Sequence, residues 1–113
     1  MSEDQEVYSY DNILVNTSLR KVFVNNVPIK LGRVDYNILL LLMQNVNRCV
    51  SRDEIFDGVW EYSHSCRTLS DEKLLNAHIS IIRTRIKQVD ENAAKCIITE
   101  KCYGYRIGQD FYG

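Results

Sequence analysis

Residues 70–89, SDEKLLNAHISIIRTRIKQV, with residues 96–107 behind them, CIITEKCYGYRI, decide how this chain is read. In the first segment Leu75, Ile79, Ile82, Ile86 and Val89 fall at i, i+4, i+7, i+11 and i+14, one apolar stripe on a helix. Ser70 is the expected cap, and Asp71 and Glu72 sit where the positive end of the helix dipole favours them. The opposite side carries Lys73, Asn76, Ala77, Ser80, Arg83, Thr84 and Lys87, which are small, polar or basic and never acidic. Asp90 to Lys95 read as a polar linker. In the second segment Cys96–Thr99 and Gly104–Ile107 read as strands joined by a tip at Glu100–Tyr103, a β-hairpin directly after the helix.

Towards the N-terminus, Ser51-Arg52-Asp53-Glu54 has a capping serine and a glutamate three residues on, as a capping box requires. The helix it opens runs through Ile55, Phe56, Val59 and Trp60, and 61–69 reads as a loop. Val34–Val46 predicts a helix with a wide apolar face, stopped near Asn47. Tyr10–Lys30 predicts three or four short antiparallel strands. Asn25-Asn26 is a turn, and Val27-Pro28-Ile29 an edge strand because proline cannot donate to a ladder. The expected layout is an acidic flexible stretch at 1–9, one domain at 10–108 and a tail at 109–113. Strands, three helices and a hairpin make an α+β domain. A helix with a polar-basic outer face beside a hairpin fits a major groove, with the hairpin reaching backbone or minor groove.

The totals agree with one domain. The chain has 113 residues, 45% of them hydrophobic and 26% charged, and a net charge of −1. Near-neutral charge gives no support to nucleic-acid binding by itself, so the distribution matters. Residues 1–66 hold six Lys/Arg and nine Asp/Glu, whereas 67–106 hold eight and five. The longest apolar run, Ile38–Met43, is too short for a bilayer, and the acidic N-terminus is unlike a signal peptide. No membrane association and a cytoplasmic location are therefore expected. In a reducing cytosol Cys49, Cys66, Cys96 and Cys102 read as free thiols in or near the core. Neither His64-x-Cys66 nor Cys96-x5-Cys102 has the spacing of a structural zinc site. No nucleophile with a base and orienting group, and no phosphate-cradling glycine motif, is evident. Neither an enzyme nor a cofactor is expected.

Three stretches, in order, resemble the effector domains of OmpR/PhoB-type regulators. Cys49–Ile55 followed by Val59-Trp60 resembles their "VVSREEL…VW"; His78–Arg83 resembles "HISRLR"; and Thr99–Ile107 resembles "TVRGxGYRF". The likeness covers residues 10–108 and implies a winged helix-turn-helix and a DNA-binding transcriptional regulator. The helix opening, Leu69–Leu75, looks closer to the ToxR-like branch, and an upstream receiver domain is not expected. By position, the resemblance implies that Lys73 contacts base or phosphate, that Ala77, His78 and Ser80 face DNA, and that Arg83 holds phosphate. It also implies a phosphate contact from the Trp60 indole, a wing contact from Lys101, and a loop at 61–69 that touches RNA polymerase. Departures are Asn76 for a usual Asp, Leu74 for Thr, Ile81 for Arg, and Glu100 and Cys102 for Val and Gly in the wing. Fewer cations imply weaker phosphate binding and a monomer that needs a repeat site, self-association or a partner regulator.

Each of these residues also has a plainer reading. His78 at the edge of the stripe serves equally as a satisfied interior histidine, and Trp60 as a packing residue. Arg83, Arg85 and Lys87 fit a solvated face, and Lys101 and Tyr103 plain turn positions. Two functions stay open. One is a regulator that reads double-stranded DNA with Lys73, Asn76, Ala77, His78, Ser80 and Thr84, held by Arg83, Lys87, Lys101, Tyr103 and Trp60. The other is a winged-helix protein-interaction module with little DNA affinity, which exposed Leu74 and Ile81 would favour.

Overall fold

The computed structural model describes residues 6–60 and 69–109. Four strands come first: β1 (Val7–Tyr10), β2 (Ile13–Asn16), β3 (Lys21–Val24) and β4 (Val27–Ile29), antiparallel neighbours in chain order. Tyr8, Ile13, Val15, Val22 and Val24 share the inner face through the pairs Tyr8↔Val15, Val15↔Val22 and Ile13↔Val24. Asn25 and Asn26 turn β3 into β4 with φ of 53° and 66°, the conformation a tight hairpin demands and asparagine tolerates. The first strand starts at Val7, earlier than the Tyr10 start predicted, because the Tyr10↔Ile13 pair is the end of that ladder.

Helix α1 (Arg33–Met43) buries Ile38, Leu39 and Leu42 completely. Strand β5 (Val50–Ser51) leads into α2 (Arg52–Ile55), and the Ser51–Glu54 capping box is present in both directions. The helix predicted through Trp60 changes there: Phe56–Trp60 forms a wider π-type turn. Helix α3 (Leu69–Lys87) already includes the backbone of Ser70, the position expected to precede it as a cap. Its stripe is as expected at Leu75, Ile79, Ile82 and Ile86, all at most 1% exposed, while Val89 lies past the helix end and is only partly buried. The predicted linker contains a helical turn, α4 (Glu91–Ala94), because the Asp90 carboxylate accepts from the Asn92 and Ala93 amides.

Strands β6 (Ile97–Glu100) and β7 (Gly104–Ile107) form the hairpin, and β5 joins it to give the order β5-β7-β6. This is the winged-helix arrangement expected. Gly104 allows β5 its approach: a Cβ there would stand 1.9 Å from the Val50 carbonyl oxygen. At the hairpin tip Cys102 has φ of 66°. It occupies the place of the glycine usual in the resembled family, and it is exposed, not near the core as predicted for the thiols. Cys96 is buried, and burial pushes its thiol up to about 11. Among the described residues no helix is long and apolar enough to cross a membrane.

Candidate nucleic-acid interface

Helix α3 lies between α1 on one side and the β6–β7 wing on the other, and its outer face is open. From Lys73 to its end at Lys87 it carries no carboxylate. Lys73, Ala77, Ser80, Thr84 and Lys87 are exposed there, along with Leu74 and Ile81, each 42% exposed. The wing presents Lys101 and Tyr103, both exposed. Between the wing tip and the first half of α3 runs a cleft of about 490 Å³, lined by Arg52, Glu72, Asn76, Cys102 and Tyr103 among others. Arg52 is held there by Glu72 at 3.2 Å. A second cleft, about 380 Å³, brings Lys95 to the same side as Ser80, Thr84 and Lys87. Sequence reading left Lys95 in a linker; the capped turn of α4 returns it to the helix.

Three residues placed on the DNA-facing set have partners inside the fold. The Arg83 guanidinium donates to the Ile97 carbonyl oxygen at 3.2 and 2.8 Å and to the Thr99 hydroxyl at 2.9 Å. Burial lowers its pKa, with Tyr105 acting the other way. Arg83 therefore ties α3 to the wing, a contact the phosphate role expected of it did not foresee. Asn76 Oδ1 accepts from the Tyr105 hydroxyl, a second tie to β7, while the residue as a whole stays exposed. His78 Nδ1 lies 2.6 Å from Asp35 Oδ1 and donates to it, fixing α3 to the first turn of α1. Its plainer reading, a satisfied interior histidine, is the one the contacts fit.

Trp60 packs on Phe56, with ring centroids 5.1 Å apart and 30° between planes, and lies 5.7 Å from the His78 ring. Packing thus accounts for its position. Glu100 is not a bare repulsive charge on the wing, because Arg106 Nε reaches its carboxylate at 2.8 Å. The loop expected at 61–69, with His64, Cys66 and Arg67, lies outside the described residues but for the backbone of Leu69.

Asp35 and Tyr105 were missed. Asp35 had a signal: it shares a helix face with Ile38, Leu39 and Leu42 at i, i+3, i+4 and i+7, and a carboxylate on a core stripe demands a partner. Tyr105 offered none beyond its place in a wing strand.

Residues 26–107 match the family described as "Transcriptional regulatory protein, C terminal". The chain belongs to that family. Among curated relatives, the response regulator ArlR of Staphylococcus epidermidis is 29% identical over 104 residues, 92% of this chain and 45% of the relative. The chain spans about half the length of such relatives. Among solved structures, the DNA-binding domain of Escherichia coli CadC superposes with a TM-score of 0.73 at 25% identity, over 94% of this chain and 95% of that one. The DNA-binding domain of response regulator AdeR, solved in complex with an intercistronic region, gives 0.74 at 17% identity, over 91% and 99%. These neighbours place the fold among OmpR/PhoB-type winged-helix domains.

Proposed function

We propose that this domain is a DNA-binding transcriptional regulator that lays α3 in the major groove and rests the 99–106 wing on the backbone or in the minor groove. The observation that carries the reading is the open face of α3, which has no carboxylate from Lys73 to Lys87 and is flanked by Lys101 on the wing. That a duplex is the partner is supported by the AdeR domain, which was solved with its DNA, and by family membership. In this reading Lys73, Ala77, Ser80 and Thr84 meet base edges. Lys87, Lys95 and Lys101, with Tyr103 at the wing tip, meet phosphates. Asn76, His78, Arg83 and Trp60 hold the helix in place without touching DNA. The opening of α3 supports a ToxR-like branch, and the 61–69 loop stays the proposed contact for RNA polymerase.

Three phosphate-facing cations make a weak monomer, so firm binding requires a repeat site, self-association or a partner regulator. A mobility-shift titration with random duplex DNA at about 50 mM salt, where phosphate contacts are strongest, tests this. The expected result is a shift whose affinity falls steeply with added salt, and Lys101→Ala lowers that slope by about one. No shift on any duplex at low salt would sink the proposal. The protein-interaction reading, favoured by exposed Leu74 and Ile81, would then take its place.

A further inference from the structure

Ile81 stands out on the open face of α3. It is a β-branched apolar side chain, 42% exposed, on a helix whose other exposed positions are polar, small or basic except for Leu74. Ala77 lies one turn before it and Thr84 one turn after, and both are exposed. Their methyl groups and the Ile81 side chain make an apolar strip along the helix. Lys73 lies before this strip and Lys87 after it, and no carboxylate interrupts it. On the helix itself the strip is framed by lysines and by no carboxylate, with Glu91 of α4 beside Lys87 in the neighbouring cleft, a setting that favours a polyanion over a protein of ordinary composition. In the major groove the one apolar feature a base pair offers is the C5-methyl of thymine.

We propose that Ile81, with Ala77 and Thr84, reads thymine methyl groups, so that the domain selects T-containing steps by hydrophobic contact and not by a bidentate hydrogen-bonding pair. The idea rests on the DNA-binding reading and specifies its readout. It accounts for how α3 can be selective although Asn76 and Arg83 are engaged inside the fold. A Ser80 hydroxyl beside the strip adds a contact that any base can satisfy, so the methyl strip supplies most of the discrimination.

The test replaces thymine by deoxyuridine, which pairs identically but lacks the methyl. A site is first selected from a random duplex pool, and its thymines are then exchanged one at a time. One or two exchanges should each weaken binding on the order of fourfold, the worth of one buried methyl. Ile81→Ser, checked for an unchanged unfolding midpoint because the position is exposed, should lose the discrimination at the thymine whose exchange costs the natural chain most. Equal binding of both versions at every position by the natural chain overturns the proposal while leaving DNA binding intact. So does an Ile81→Ser variant whose discrimination is undiminished at every position. Absence of binding to any duplex overturns the underlying reading as well.

Discussion

Replacing Arg83 by alanine separates two roles that a helical wheel cannot. If Arg83 is a tie, the variant loses a guanidinium that makes two bonds to the Ile97 carbonyl and one to the Thr99 hydroxyl. A hydrogen bond from a charged donor contributes about 1.5–3 kcal/mol. Two bonds to one carbonyl count for little more than one, and Ile97 lies on an edge strand where water can replace the lost donor. The expected loss is therefore about 2–3 kcal/mol, not the sum of three bonds. For a domain near 100 residues that lowers the thermal midpoint by roughly 10–20 °C. Urea unfolding should show a lower midpoint with an unchanged slope. Arg83→Lys should recover only part of the loss, because an ammonium cannot present the guanidinium fork. DNA binding, measured below the variant's transition, should keep its salt slope. A stability change under about 0.5 kcal/mol, with a salt slope smaller by about one, would refute the reasoning and return Arg83 to the phosphates.

Three further outcomes are expected. Ile82→Ala, at a site 0% exposed, should cost about 2–5 kcal/mol in chemical denaturation through lost burial and a residual cavity. Gly104→Ala should push β5 from β7, because its Cβ would meet the Val50 carbonyl oxygen; the cost is about 1–3 kcal/mol or more, with loss of ladder amide protection in hydrogen exchange. Acid should weaken the fold through two partly exposed carboxylates. The Asn25 amide, with the Ala93, Asn92 and Asn12 donors and against some desolvation, holds Asp90 below its ordinary 3.8; the Ser51 amide and Arg48 hold Glu54 below 4.5. Both pKa values are depressed on folding, so their contribution is full above those values and is lost as pH falls through the lower folded ones. Thermal midpoints followed down through that range should fall less steeply in Asp90→Asn than in the natural chain.

What was legible in the sequence was whatever repeats along an element or sits within one turn of it. The α3 stripe, the Ser51–Glu54 box and the Asn25-Asn26 turn are local patterns, and each stands where it was expected. The ties of α3 were not legible, because their partners are far away in the chain: His78 and Asp35 are 43 residues apart, Asn76 and Tyr105 29. A polar side chain on an outer flank looks the same in sequence whether it faces solvent or a neighbouring strand. That is why the contacts that three members of the expected DNA-facing set make within the fold were not foreseen. Resemblance by position did not help, since it carries over a residue's place and not its rotamer. The short α4 turn was missed for a related reason: four residues are too few for a period, and only the Asp90 cap marks it.

The bond between Arg83 and Ile97 also bears on solubility. Strand β6 is the outer strand of a three-stranded sheet, and an outer strand offers its unpaired carbonyls and amides as a template to any other chain. The Ile97 carbonyl points away from β7, and the guanidinium occupies it before another molecule can. At the other end of the strand Glu100 is drawn to Arg106. A cation laid across the rim thus seals the sheet as well as locking the helix. A chain lacking it would present the bare rim of β6 to its own copies, where strands can join edge to edge into aggregates.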